Sequence, residues 1–268
     1  MPLSLDRRPP EAQAMEVIQT FLDAGGDFID TANVYCIDDS DIGHNERLIA
    51  KTLRELGKTK AMFVATKGGL RRPNGRWEVD GNPKFIRASC EQSLKDLGVD
   101  CIALYQLHAV DARVPFADTL GELQRLKDEG KIAHIGLSNI SSEQLETALK
   151  HVAVVSVQNR CNALEKRDFR NGLVDLCARH NVAFIPHSPV GGYLSHVRIG
   201  AQPVLKKLTD QHGVSAYQIV LAWLLAKGGH VFPIPGASRP ASIRDSMEAL
   251  RLNLTDEDIR AIDQMADA

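Results

Sequence analysis

The chain has 268 residues, 44% hydrophobic and 25% charged, which is an ordinary globular balance and long enough for one large core. Thirty-two Lys and Arg against 34 Asp and Glu leave a net charge of -2, so nothing argues for a nucleic-acid or membrane partner. The five Cys, at 36, 90, 101, 161 and 177, are odd in number and form no C-x-x-C pair, which fits reduced thiols in a cytoplasmic protein. No apolar run reaches membrane-spanning length, and the first residues lack the charged-then-apolar plan of a signal peptide. One domain over residues 1–268 is expected, because no linker-like or charged run divides the chain.

Pro9 and Pro10 suit a first helical turn, and Met15, Ile18, Phe21 and Leu22 follow at helical spacing until Gly25 and Gly26 stop the run. Asp27 to Asp30 reads as a strand, and Asp38, Asp39 and Asp41 beyond it read as a solvated acidic loop, since the remainder of a calcium loop is absent. Leu48, Ile49, Leu53 and Leu56 mark a helix from Glu46 to Leu56, with Gly57 at its C-cap. Residues 61–67 form the next expected strand, 71–82 a polar loop containing Trp77, and 83–97 a helix. Strands at 101–108 and 132–139 flank a helix carrying Phe116, Leu120, Leu123 and Leu126, which Gly130 closes. Ser141 with Gln144 predicts a capping box for the helix of Leu145 and Leu149. Further strands are expected at 154–158, 182–186 and 231–234, separated by helical patterns around Leu173 and Leu176 and around Leu205, Ile219 and Leu224, and Thr255 caps a last helix.

Strand-helix alternation of this regularity leaves a doubly wound sheet or a closed barrel. A dinucleotide-binding doubly wound sheet carries G-x-G-x-x-G after its first strand, and this chain has no G-x-G anywhere. The candidate site residues fall at the ends of many strands, which is what a (β/α)8 TIM barrel with its pocket at the C-terminal rim requires. Seven strands are found where eight are needed, and Met1 to Leu5 is too abrupt to be a whole strand. The expectation is therefore a barrel whose first strand is truncated, with roughly twenty to thirty preceding residues lost.

Three strand ends carry chemistry: Asp30-Thr31-Ala32-Asn33-Val34-Tyr35, Ala65-Thr66-Lys67-Gly68-Gly69 and Leu104-Tyr105-Gln106-Leu107-His108. Asp, Tyr, Lys and His at neighbouring strand ends suit a general acid or base. A phenol has a pKa of about 10 and holds its proton at neutral pH. An ammonium beside Tyr35 favours the phenolate and makes the phenol the stronger acid, and a buried carboxylate such as Asp30 keeps Lys67 charged and oriented. His108 is placed to share the proton or to orient the group that receives it.

The motifs DFIDTANVY, GHNERLIAKTL, FVATKGG, DLGVDCIALYQLH, GKIAHIGLSN, VSVQNRCN, FIPHSPVGG and FPIPGASRP, in this order and essentially end to end, make the chain resemble an aldo-keto reductase. The resemblance implies a TIM barrel that binds a nicotinamide cofactor without a glycine fingerprint, usually NADPH, with NADH use left open. It implies a catalytic tetrad at Asp30, Tyr35, Lys67 and His108, and a small-molecule aldehyde or ketone as substrate, reduced to an alcohol or formed from it in the reverse direction. No metal is implied. Ser138, Asn139 and Gln158 match positions that hydrogen-bond the nicotinamide carboxamide, and His187 stands where the family has an aromatic ring stacked on the nicotinamide. Ser188, Pro189, Gly192 and Leu194 match the pyrophosphate-binding loop. Ile234, Gly236, Ser238 and Arg239 match the segment that holds the adenosine 2'-phosphate.

Gly236 replaces a lysine found in many members and Ser242 an arginine, which leaves NADPH preference resting on Arg239. Cys161 stands where a tyrosine or phenylalanine is common. Trp77 is the best apolar wall for the substrate pocket, and the chain stops directly after its last helix, so an open pocket is expected. Some members of the family are cofactor-sensing subunits of membrane channels. Against that alternative, the complete tetrad argues for turnover.

Overall fold

The computed structural model describes residues 1–267, without the side chains of Tyr193 and Leu194, so the expectation for Leu194 falls outside the described side chains. Chain order runs α1 (Glu11–Asp23), β1 (Phe28–Asp30), α2 (His44–Glu55), β2 (Phe63–Gly68), β3 (Leu70–Arg71), β4 (Glu78–Val79), α3 (Pro83–Leu97), β5 (Ile102–Leu107), α4 (Phe116–Asp128), β6 (Ile132–Ser138), α5 (Ser142–Leu149), β7 (Val154–Arg160), α6 (Arg167–Arg170), α7 (Leu173–Arg179) and β8 (Ala183–His187). Five helices close it: α8 (Gly192–Gly200), α9 (Pro203–His212), α10 (Ala216–Leu225), α11 (Pro240–Glu248) and α12 (Asp256–Asp263). No helix among the described residues is long and apolar enough to cross a membrane.

Six strands form one parallel sheet in the order β1-β2-β5-β6-β7-β8, and helices cover its outer face. Parallel bridges Phe184–Val231 and His187–Ile234 continue the curl beyond β8. A full strand was expected at 231–234. Pro233 and Pro235 explain the difference, because neither has an N–H to extend the ladder. Between this stretch and β1, residues 2–7 fold as turns. Leu3 joins the cluster of Ile18, Leu48 and Ile243, and the Ser4 hydroxyl accepts from Asn45 Nδ2 at 2.8 Å. The curled sheet is thus open on one side at the level of backbone pairing, with a turn and α1 packed there against α11.

Register explains which side chains meet inside. Side chains of a strand alternate faces with period two. Lys67 pairs with Gln106, Gln106 with Gly136 and Gly136 with Ser156, so these four lie in one inward layer. One layer nearer the C-terminal rim, Ser138 pairs with Gln158. Gly136 must be small: a Cβ there would stand 2.4 Å from Ser156 Oγ and 2.8 Å from Gln106 Cγ.

Three other elements differ from expectation. The polar loop at 71–82 contains the β3-β4 hairpin, with Leu70 opposite Val79 and Arg71 opposite Glu78, too short for alternation to register. The helical pattern spanning Leu205 to Leu224 is two helices, split at Gly213 with φ +67°. Gly192, expected in a loop, opens α8 behind Gly191 (φ +87°). The capping box at Ser141 and Gln144 forms as expected.

On α2, Glu46 is fully buried and accepts from Thr66 Oγ1 at 2.5 Å. Burial raises its carboxyl from 4.5 to about 7. The folded chain then keeps a proton that the unfolded chain releases, so stability is present below the unfolded pKa and is lost as pH rises towards the folded value. Replacing the acid by its neutral isostere, Glu46→Gln, is expected to remove that slope and to add ~2–3 kcal/mol at about pH 8, read by urea unfolding. Parallel pH dependence in the two proteins would contradict it.

Candidate active site

Asp30 ends β1, and the chain turns at once, with the Thr31 N–H donating to Ala65 O at 2.8 Å and the Thr31 hydroxyl to Asn45 Oδ1 at 2.7 Å. Gly43 N–H donates to Asn33 O at 2.8 Å, which folds the loop back and places Tyr35 over the end of β2. Lys67 is wholly buried. Its ammonium donates to Asp30 Oδ2 at 2.5 Å, Thr31 O at 2.9 Å and Tyr35 Oη at 3.0 Å. Three acceptors match the three N–H bonds of an ammonium, so the side chain is fixed. His108 follows β5, its ring edge-on to Tyr35 with centroids 5.8 Å apart. The four residues expected to converge are together.

Their electrostatics follow from burial. Desolvation opposes the charge on Lys67, but Asp30 and Tyr35 overcome it and its pKa lies above the usual lysine value. Desolvation also raises the Tyr35 phenol above 10, outweighing the pull of Lys67. Lys67 acts on Tyr35 in the expected direction, and burial, which the sequence did not weigh, outweighs it, so the net shift is upward. His108 is pushed well below 6.5, first by burial and then by Lys67, so its imidazole is neutral at physiological pH. Its Nδ1 is buried without a hydrogen-bond partner among the described residues.

Trp77, from the β3-β4 hairpin, is 47% exposed and faces His108 with centroids 6.4 Å apart. Arg72 lies 3.9 Å from the indole ring centre and donates through Nη2 to the carbonyls of Cys36 (3.2 Å) and Ile37 (2.9 Å). A buried guanidinium therefore clamps the indole to the loop that carries Tyr35. Trp77 thus stands beside His108 at the rim.

On the other side of the rim, Asn139 has φ +56°, a left-handed conformation that Asn tolerates. Its Nδ2 donates to His108 O at 2.9 Å and to Ser138 Oγ at 3.1 Å. His187 uses both ring nitrogens, on Asn139 Oδ1 (3.2 Å) and Ser188 Oγ (3.3 Å), and burial lowers it to about 4. Its edge is occupied, so the ring is oriented. Ser188 itself has φ +52°, and a Cβ on Gly192 would fall 2.9 Å from its hydroxyl, which ties these two positions together. Pro189 is buried beside them, and Cys161 N–H donates to His187 O at 3.2 Å. Gln158 also reaches the tetrad: its Nε2 donates to Asp30 Oδ1 at 2.8 Å. An amide so placed has only Oε1 to offer a carboxamide N–H. Beyond β8, Ile234 bridges to His187, and Ser238 O accepts from Gln13 Nε2 at 2.8 Å. The position of a Gly236 Cβ lies 3.0 Å from the Pro2 ring, and Arg239 is exposed at the N-cap of α11.

The profile of the Aldo/keto reductase family matches residues 3–267. The chain belongs to the aldo/keto reductase family. A relative from Glycine max, described as probable aldo-keto reductase 1, is 32% identical over 279 residues, spanning 94% of this chain and 79% of its own. The crystal structure of a thermostable aldo-keto reductase bound to the inhibitor epalrestat is 28% identical, with TM-score 0.80, covering 94% of this chain and 87% of that one. The aldo/keto reductase of Klebsiella pneumoniae, solved with NADP and acetate, shares the fold at 22% identity and TM-score 0.79, covering 95% and 85% of the two chains.

Within this aldo/keto reductase, sequence reasoning missed two contributors. Gln106 donates to Asp30 Oδ1 at 3.0 Å from a fully buried position, and the one signal was an amide inside the apolar run of β5, two residues before His108 on the same face. Arg72 reads in the sequence as an ordinary loop cation, and only the hairpin reveals that it holds Trp77.

Proposed function

We propose that this chain reduces aldehydes and activated ketones to alcohols with NADPH, using Tyr35 as the proton donor. The observation that carries the reading is the wholly buried Lys67, bonded at once to Asp30 Oδ2 (2.5 Å) and Tyr35 Oη (3.0 Å) at the sheet's C-terminal rim. The reduced nicotinamide supplies the hydride when bound. Tyr35, held protonated by burial, donates its proton to the carbonyl oxygen as that oxygen becomes an alkoxide. Lys67 stabilises the phenolate left behind, and Asp30 keeps the ammonium charged against its own desolvation. Neutral His108, its ring edge-on to Tyr35 with centroids 5.8 Å apart, holds the carbonyl oxygen by hydrogen bonding. Trp77 presents an apolar face to the body of the substrate, which favours aromatic and aliphatic aldehydes over heavily hydroxylated ones.

The residues opposite suit the cofactor. Gln158 Oε1 and Asn139 take the carboxamide, the oriented His187 ring faces the nicotinamide, and the Ser188-to-Gly192 turn brings backbone close to the diphosphate. Exposed Arg239 takes the 2'-phosphate, and the NADP-bound relative supports that choice of cofactor.

Mixing the protein with NADPH and a panel of aldehydes is expected to give aldehyde-dependent loss of nicotinamide absorbance. In Arg239→Ala the preference for NADPH over NADH is expected to fall by about 10- to 100-fold, since a charge-assisted bidentate contact contributes about 1.5–3 kcal/mol. Equal use of both cofactors by the unmutated chain would refute the role of Arg239, and absence of aldehyde-dependent oxidation would refute the function.

A further inference from the structure

We infer that Gln106 is a positioning residue for the reaction, holding the Asp30 carboxylate so that Lys67 and Tyr35 are correctly placed; the inference rests on the reductase reading above. Asp30 accepts on both oxygens: Oδ2 from Lys67 (2.5 Å), Oδ1 from Gln106 Nε2 (3.0 Å) and Gln158 Nε2 (2.8 Å). The two amides also bond each other, Gln158 Nε2 to Gln106 Oε1 at 3.3 Å. Both glutamines are at most 1% exposed, so no solvent replaces either donor. Gln106 thus receives on Oε1 and donates from Nε2, which fixes its amide plane, and the missing Cβ of Gly136 provides the space its side chain occupies.

The consequence concerns geometry and charge together. A carboxylate held by one lysine alone can rotate about its Cβ–Cγ bond and carry the ammonium with it. With Oδ1 pinned by two amides, the direction of Oδ2 is set, and with it the position from which Lys67 reaches Tyr35 Oη at 3.0 Å. The charged and titratable groups facing this point are Asp30 and Lys67, Tyr35 above Lys67, His108 just past the end of β5, His187, and the buried α-amino group of Met1. Gln158 links the same carboxylate to the surface offered to the nicotinamide carboxamide.

The requirement is for a donor at position 106, which makes the role separable from packing. Gln106→Met keeps the volume and removes the donor. Gln106→Glu keeps the shape and donates to Asp30 only while the introduced carboxyl is protonated, because two carboxyls in contact share one proton. For Gln106→Met the expected result is a kcat lower by about 10- to 100-fold at every pH, with aldehyde KM within about twofold, as for lost transition-state alignment.

For Gln106→Glu, kcat is expected near that of the unmutated protein at low pH, falling through a new titration as pH rises. Thermal stability should fall over the same window, since the introduced group's folded pKa is raised and its contribution is lost as pH passes it. A kcat for Gln106→Met within twofold of the unmutated protein, or a Gln106→Glu profile without the new limb, overturns the inference. Should Gln106→Met not fold, Gln106→Glu decides alone. Failure of the reductase reading is distinct: the unmutated protein would then show no aldehyde-dependent NADPH oxidation at all.

Discussion

Replacing Tyr35 by Phe is expected to lower kcat for aldehyde reduction by about a thousandfold, within the range contributed by a positioned general acid. Cofactor affinity and thermal stability should barely change. Tyr35 is 8% exposed, and its ring packs with Ala32, Val34 and Leu70, contacts that phenylalanine keeps. Among the described residues the hydroxyl's hydrogen bond is from Lys67 Nζ, which in the variant retains Asp30 Oδ2 and Thr31 O. NADPH binding can be followed through Trp77, whose half-exposed indole lies beside the site. A variant that binds NADPH and still turns over within tenfold of the unmutated rate would remove Tyr35 from the chemistry.

A second large effect is expected from Lys67→Met, and it separates stability from catalysis. Asp30 and Lys67 are 7% and 0% exposed at their side chains. Removing the cation leaves a buried carboxylate with two amide donors and no counter-charge, at an expected cost of about 3–5 kcal/mol. Removing both charges in Asp30→Asn with Lys67→Met should restore most of that stability, because the paired charges were themselves desolvated. Activity should stay lost in both variants, since neither retains the ammonium that receives the phenolate. Denaturant unfolding beside turnover measures the two effects. Additive destabilisation in the double variant would show that the pair is not energetically coupled.

Much of this architecture was legible from strand ends. Short apolar runs giving out at Asp30, Lys67 and His108 set three side chains at one rim, and the parallel register of β1, β2 and β5 brings them together. The 3.6-residue pattern of Ile86, Cys90, Leu94 and Leu97 gives α3 to the residue, because Asn82 caps it, Pro83 begins it and Gly98 ends it at φ +67°. What escaped was decided by tertiary contact. The strand expected at 231–234 reduces to two bridges because prolines interrupt its donors.

That Gln106 and Gln158 both bond Asp30 depends on three strands meeting at one carboxylate, and an amide within an apolar run signals a buried polar role without naming its partner. Tyr35 illustrates the same limit for electrostatics. An adjacent lysine is readable in sequence, whereas the depth of burial that overrides it is not.

The central claim is that hydride reaches a carbonyl carbon here while Tyr35 delivers the proton, and following the atoms tests it most directly. NADPH carrying deuterium at the transferable nicotinamide position is mixed with an aromatic aldehyde and the protein, and the alcohol is analysed by mass and NMR. One deuterium on the carbinol carbon is expected with the unmutated chain and, at equal cofactor occupancy, almost no alcohol with Tyr35→Phe. Alcohol without deuterium, or equal labelled product from the two proteins, would contradict it.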